Sequence, residues 1–157
     1  MTKLPESGVR ISLDFGQVRI GVARCDSHQL LAVPVTTLQN SEDVFAQIEQ
    51  LLIDFDPSAI YLGLPVNLLG ADTMATQSVR KFGADLKVHL AQQSVSIPIQ
   101  LVDERLSTAS AQALARNGGK TIKESRGFID QAAAVEILEL ALAIERRTGS
   151  LAGTQVH

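Results

Sequence analysis

The length, composition and charge of this chain are those of one soluble globular domain. Its 157 residues, 45% of them hydrophobic and 20% charged, are too few for two ordinary domains and too apolar for a disordered protein. No apolar run approaches the roughly 20 residues of a membrane span, and the N-terminus lacks the apolar core of a signal peptide. The single cysteine excludes an internal disulfide. We therefore expect a cytoplasmic protein without a membrane partner.

The first part of the chain predicts three strands. Val9, Ile11, Leu13 and Phe15 alternate with polar residues, which is the period of a half-buried strand, and Asp14 lies on its polar face. Residues 16–19 predict a turn into a second strand over 20–23, so that the two strands form a hairpin. A third strand is expected over 31–36.

The rest of the chain predicts helices alternating with strands. Ser41 is a candidate N-cap for a helix that ends at 56–57, and a buried strand follows over 59–64. Next come a helix over 72–92, a strand over 97–102, a short helix from 107 to 117, a mobile loop to 127 and a last helix over 129–147. The pattern predicts an α/β fold with a mixed five-stranded sheet, antiparallel in its opening hairpins and parallel later, flanked by helices. One domain should cover 9–147, between flexible ends at 1–8 and 148–157.

Three carboxylates are candidates for one site. Asp14 ends the first strand and Glu104 follows the last one, and parallel central strands would bring these ends together. Asp130 is the polar member of an otherwise apolar stripe on the last helix, although it could simply cap that helix or lie in its first turn. A site with three carboxylates and no nearby His or Cys suits Mg²⁺, or Mn²⁺.

Two further features would suit a phosphate-containing ligand. Gly16 and Gly21 leave space for a phosphate to approach the backbone. The net charge of −3 weighs against nucleic acid, but the segment from Arg105 to Arg126 holds five positive residues against Glu124 alone. An ordinary solvated loop would explain that local surplus equally well.

Several motifs spread along the chain resemble those of one family. They are Leu13-Asp14-Phe15-Gly16, Ile20-Gly21-Val22-Ala23, Gly63-Leu64-Pro65-Val66-Asn67 with Gly70, Arg80-Lys81-Phe82, Asp103-Glu104-Arg105-Leu106-Ser107-Thr108, and Ile129-Asp130 with Ala133-Ala134. In this order they resemble the YqgF family, whose members are described as Holliday junction resolvases or pre-16S rRNA nucleases and have a ribonuclease H-like fold. One departure is Phe128, where family members often carry Lys; Arg126 is the candidate to replace that charge.

The resemblance implies a metal-dependent nuclease with Asp14, Glu104 and Asp130 as metal-binding catalytic acids. We expect Asp14 to lie between two Mg²⁺ ions, with Glu104 and Asp130 each helping to hold one. The nucleic acid would be positioned through its phosphates by the side chains of Arg19, Arg105, Thr108, Lys120, Lys123 and Arg126. For Arg105 a salt bridge to Asp103 is the alternative.

The resemblance favours 5′-end processing of pre-16S rRNA over cleavage of branched DNA. A Holliday junction resolvase would act as a two-fold homodimer, but the sequence shows no decisive dimer face, and ribosome-assembly partners stay open. Two other classes compete. The hairpin around Asp14 also resembles the first phosphate loop of sugar kinase and actin-like ATPases, which need a second domain and a second phosphate loop. A non-catalytic RNA-binding assembly factor would gain nothing from three anions beside phosphates.

Overall fold

The computed structural model describes residues 8–106 and 122–157, except for the side chains at 106 and 122–127. The strands are β1 (Arg10–Phe15), β2 (Arg19–Cys25), β3 (Ala32–Gln39), β4 (Ala59–Leu64), β5 (Ile99–Asp103) and β6 (Thr154–Gln155). The helices within the described ranges are α1 (Val44–Phe55), α2 (Met74–Gln92) and α3 (Ile122–Thr148), and a 3₁₀ turn covers Glu104–Leu106. None of the described helices is long and apolar enough to cross a membrane.

The strands form one mixed sheet in the order β3-β2-β1-β4-β5-β6. β1, β2 and β3 pair antiparallel, whereas β1, β4 and β5 are parallel neighbours, as the sequence predicts. The sheet has a sixth strand within residues 148–157, for which the sequence predicts a flexible tail. Instead β6 pairs antiparallel with β5, and Leu151, Ala152 and Val156 are buried.

The two faces of the sheet are covered by different helices. On one face Ile11 and Leu13 of β1 belong to a core with residues of α1 and α2. On the other face Ala134, Ile137 and Leu138 of α3 pack in a second cluster. The side chains of β1 alternate between these layers, and the Ser12 hydroxyl donates a hydrogen bond to the Ala134 carbonyl on α3 at 2.6 Å. All of β4 is buried, as expected for a central parallel strand.

The helix boundaries differ from the sequence prediction in two places. α1 is preceded by Asp43 rather than by Ser41 as its N-cap, and the Ser41 hydroxyl bonds the Asp43 carboxylate instead. α3 begins at Ile122, so its first turns occupy part of the segment that was predicted to be a loop. The predicted short helix from 107 to 117 lies outside the described residues.

A buried polar network ties α3 to the sheet at the end opposite Asp14. The fully buried Arg10 guanidinium, at the start of β1, donates two hydrogen bonds to the Glu145 carboxylate at 3.1 and 3.0 Å. The Tyr61 hydroxyl of β4 donates to the same carboxylate at 2.5 Å and accepts from the Ala152 amide at 3.1 Å. Because every charged group here has a partner, burial of the ion pair is tolerated.

Candidate active site

Three elements bring Asp14, Glu104 and Asp130 to one edge of the sheet. Asp14 is near the carboxyl end of β1, and Glu104 follows the carboxyl end of β5, two strands away in the same parallel group. On β2, Gly21 is the register partner of Asp14, and a Cβ placed on Gly21 would overlap the backbone carbonyl of Asp130. α3 therefore contacts the sheet beside Asp14 at the position of Asp130.

Burial, together with repulsion from neighbouring acids, raises the pKa values of Asp14 and Glu104. Burial, followed by the negative charges of Glu104, Asp130 and Glu136, raises the pKa of Asp14 from 3.8 to about 7. Burial, followed by the charges of Asp103 and Glu136, also raises the pKa of Glu104. The edge therefore concentrates negative charge in a partly desolvated place, which is the condition that attracts a cation.

Glycine at position 63 makes room for Glu104. A Cβ on Gly63 would lie 2.5 Å from the Glu104 Oε1 atom and 2.5 Å from the Ile137 Cδ1 atom. The Glu104 carboxylate thus lies over the carboxyl end of β4, beside Ile137 of α3, instead of pointing away from the sheet. Sequence reasoning gave Gly63 no such role, since a glycine inside a strand shows only that something approaches closely.

The spaces beside Gly16 and Gly21 are filled by protein rather than left open for a phosphate. The backbone of α3 occupies the space at Gly21, and a Cβ on Gly16 would lie 2.6 Å from the carbonyl oxygen of Arg19. Gly16 therefore permits the tight β1–β2 turn, and Gly21 permits helix–sheet contact. The expectation that these glycines admit a phosphate is corrected accordingly.

Arg19, expected to bind nucleic acid, forms an ion pair with Asp130. Its Nε atom donates to the Asp130 Oδ2 atom at 2.9 Å, and the two side chains are 28% and 20% exposed. Asp130 is therefore neither a simple helix cap nor an unpaired buried charge. In this arrangement Arg19 supplies the positive charge that balances one of the three acids.

Arg105 adopts the alternative that the sequence left open, a salt bridge with Asp103. Its Nη2 atom lies 2.6 Å from the Asp103 Oδ2 atom, and its backbone amide donates to the Asp103 Oδ1 atom at 2.9 Å. This pairing lowers the pKa of Asp103 and raises that of Arg105. Thr108 and Lys120 lie outside the described residues, and Lys123 and Arg126 are described only as backbone positions of α3.

The three acids are the type of ligand that a divalent cation prefers, but they do not lie close enough together to form a complete metal site. Within 8–106 and 122–157, no three His, Cys, Asp or Glu residues are grouped closely enough to hold a metal ion. The donors are nevertheless all carboxylate oxygens, which Mg²⁺ and Mn²⁺ prefer. The raised pKa values of Asp14 and Glu104 reflect burial and neighbouring negative charge that a cation would neutralise. Because Arg19 already contacts the Asp130 Oδ2 atom, binding of an ion through that atom would displace Arg19.

Glu136 is the acid that sequence reasoning missed. It is half-buried on α3, and its charge raises the pKa values of both Asp14 and Glu104. It lies off the apolar stripe that singled out Asp130, so the helical pattern gave no reason to select it. Six residues after Asp130 correspond to a rotation of about 240° around the helix, so no helical spacing in the sequence connects the two acids.

Comparisons with known proteins identify relatives of this chain and name two different activities for them. The sequence model of a family described as "RuvX: Holliday junction resolvase" matches residues 8–144. A Nocardioides protein named "Putative pre-16S rRNA nuclease" is 41% identical over 156 residues, covering 96% of this chain and 97% of its own. A Leifsonia xyli protein with the same name is 42% identical and covers 96% of each chain. Among solved structures, Thermus thermophilus RuvC in complex with a Holliday junction substrate matches with a TM-score of 0.58 and 15% identity, covering 92% of this chain and 98% of its own, which supports the shared fold alone.

Proposed function

Because this chain belongs to the RuvX family, we propose that it is a metal-dependent nuclease that processes the 5′ end of pre-16S rRNA. The observation that carries the proposal is the meeting of Asp14, Glu104 and Asp130 at one edge of the sheet, from three separate elements. The choice of RNA rests on the name shared by relatives that are 41% and 42% identical over nearly the whole chain.

In this proposal Asp14, Glu104 and Asp130 hold Mg²⁺, or Mn²⁺, which stabilises the negative charge that develops as the phosphodiester is hydrolysed. Gly63 keeps the Glu104 carboxylate facing the site, and α3 presents Asp130. Arg19, once separated from Asp130, is left within reach of the same edge and would contact a substrate phosphate. Glu136 adds negative charge next to Asp14 and Glu104, so it increases the attraction for the ion.

The family description favours a second candidate, cleavage of branched DNA as a Holliday junction resolvase. That activity would use a two-fold dimer with two sites facing symmetric strands. We place either activity in the cytoplasm, where the buried free thiol of Cys25 would stay reduced. We expect partners from ribosome assembly only if the protein processes pre-16S rRNA.

The experiment compares three substrates under three metal conditions. Purified protein is incubated with precursor-derived 16S RNA, an unrelated single-stranded RNA and a synthetic four-way DNA junction, each with Mg²⁺, Mn²⁺ or EDTA. Asp14→Asn tests the site, and Asp54→Asn is its matched control, because Asp54 is exposed on α1 and its carboxylate accepts a hydrogen bond from the Gln50 side chain at the surface.

We expect metal-dependent cutting of the precursor RNA that Asp14→Asn abolishes and Asp54→Asn retains. Preference for the four-way junction would move the assignment to the second candidate. The same faint background from wild type and Asp14→Asn on every substrate would refute the nuclease mechanism and favour a binding factor.

A further inference from the structure

The loop between β4 and α2 carries two adjacent leucines that are almost completely exposed. Leu68 is 93% exposed and Leu69 is 92% exposed, more than any other large hydrophobic side chain in the described ranges. Single exposed apolar residues are common on protein surfaces, but a neighbouring pair at a loop tip gains no stability from its position. A role in binding would account for it.

The backbone of this loop is held in one shape by its own hydrogen bonds. The Asn67 side-chain oxygen accepts from the amides of Leu69 and Ala71 at 3.0 and 2.9 Å, and the Asn67 carbonyl accepts from the Gly70 amide at 2.9 Å. Gly70 takes a positive φ of 82°, which closes the turn. The two leucines therefore project from a preformed turn, so that little ordering is needed when they bind.

The same loop is attached to the proposed active site through Arg105. The Arg105 Nη1 atom donates to the Leu68 carbonyl at 3.4 Å, and its guanidinium lies against Gly70, where a Cβ would be 3.1 Å from Nη1. Arg105 directly follows Glu104, one of the proposed catalytic acids. The leucine pair thus has a fixed position relative to the edge at which a phosphodiester would be cut.

We propose that Leu68 and Leu69 form a wedge that inserts beside a stacked base of the nucleic-acid substrate and opens a paired end next to the scissile phosphate. This inference rests on the proposed nuclease function. Apolar side chains of this size are known to unstack base steps when they are presented by a fixed backbone. The wedge would let the protein cut at the border between duplex and single strand, where an unassisted strand end would stay paired.

A nucleic acid suits this tip better than a protein surface does. A stable interface between two proteins buries about 800 Å² on each partner, far more than two side chains can supply. Bases, in contrast, offer flat apolar faces, and the hydrogen bond from Arg105 to the Leu68 carbonyl connects the loop to the residue that follows Glu104. A second copy of this chain is therefore the less favoured occupant, and light scattering of wild type and variant would detect it.

The test uses the double variant Leu68→Ser/Leu69→Ser and a matched control, Leu30→Ser/Leu31→Ser. Leu30 and Leu31 are also adjacent and exposed, at 78% and 63%, but they lie in the β2–β3 loop at the opposite end of the sheet. Two RNAs share the sequence around the cleavage site, one fully single-stranded and one with a duplex that starts beside the scissile bond. Binding is followed separately in the Asp14→Asn background, by the fluorescence of 2-aminopurine at the end of the duplex.

We expect the Leu68/Leu69 variant to lose roughly tenfold or more in kcat/KM on the duplex-bordered RNA and to cut the single-stranded RNA like wild type. The control variant should cut both substrates like wild type. The 2-aminopurine signal should rise when protein with intact leucines binds and stay flat when both are serine.

Three results would overturn the wedge: equal cutting of the bordered RNA by variant and wild type, an equal loss on both RNAs, or a wild-type dimer that the variant converts to a monomer in light scattering. Failure of the nuclease proposal looks different, because wild type would then cut neither RNA. The fluorescence comparison still decides the wedge in that case, since it requires binding alone, and absence of a fluorescence rise with intact leucines counts against it.

Discussion

Replacing Asp14 with Asn is expected to stabilise the metal-free protein at neutral and alkaline pH, although the same change should abolish activity. Burial and three neighbouring acids raise the pKa of Asp14 from 3.8 to about 7, so the folded protein holds this proton more tightly than the unfolded chain does. Stability is therefore lost as pH rises from about 4 to about 7, and the full penalty persists above that range.

The size of the penalty follows from the two pKa values. A rise from 3.8 to about 7 corresponds to about 4 kcal/mol at 1.36 kcal/mol for each pH unit. Asp14 is not completely buried, and its neighbours can move apart, so we expect Asn to recover about half, or about 2 kcal/mol, at pH 8. For a chain of this length that amounts to a rise in Tm of roughly 4 to 8 °C.

The assay is thermal and urea unfolding in EDTA at pH 8 and at pH 4, with Asp54→Asn as the control for loss of an exposed carboxylate. The gain from Asp14→Asn should be present at pH 8 and should shrink toward pH 4, where Asp14 is already protonated in the folded protein. A gain of equal size at both pH values, or no gain at pH 8, would refute the electrostatic reasoning.

Three further predictions concern the metal, the space for Glu104 and the buried network. In calorimetry, Mg²⁺ should raise the Tm of wild type by the equivalent of about 2.7 kcal/mol at a hundredfold excess over Kd. The Tm of Asp14→Asn should not change with Mg²⁺. An equal shift in both proteins would place the ion elsewhere. Gly63→Ala puts a Cβ 2.5 Å from the Glu104 carboxylate. We therefore expect the free energy of unfolding in urea to fall by about 1 to 3 kcal/mol and cleavage to be lost. Normal cleavage would contradict the placement of Glu104. Glu145→Gln leaves the Arg10 charge buried without its counter-ion and should cost about 3 to 5 kcal/mol in urea unfolding, whereas a cost below 1 kcal/mol would show that water reaches Arg10.

The parts of the fold and site that the sequence predicts are those set by local pattern. Alternation in β1 placed Asp14 on the polar face at the strand's end, and the order of strands and helices placed Glu104 at the same edge. The apolar stripe of α3 indicated correctly that Asp130 faces the sheet. Family motifs then connected these positions to nuclease chemistry.

The missing parts depend on contacts between residues far apart in the chain. β6 has two residues, too few to show a period, and it exists because β5 offers an open edge. Neither the spacing nor the composition of the sequence predicts the ion pair between Arg19 and Asp130, since either side chain could have faced solvent or paired with a different charge. Likewise the space beside Gly21 could belong to a ligand or to a helix until the packing is known.

The number of residues between the contacts of α3 matters for the site as much as their identity does. The helix touches the sheet at Asp130 beside Gly21, at Ala134 through Ser12, and at Glu145 through Arg10, so its phase is fixed at three points. One residue inserted between Asp130 and Glu145 would rotate one contact against the others by about 100° and shift it by about 1.5 Å. With the Arg10 pair kept, Asp130 would then turn away from Asp14. Natural variation in this stretch should therefore exchange side chains freely while insertions and deletions are confined to the loops.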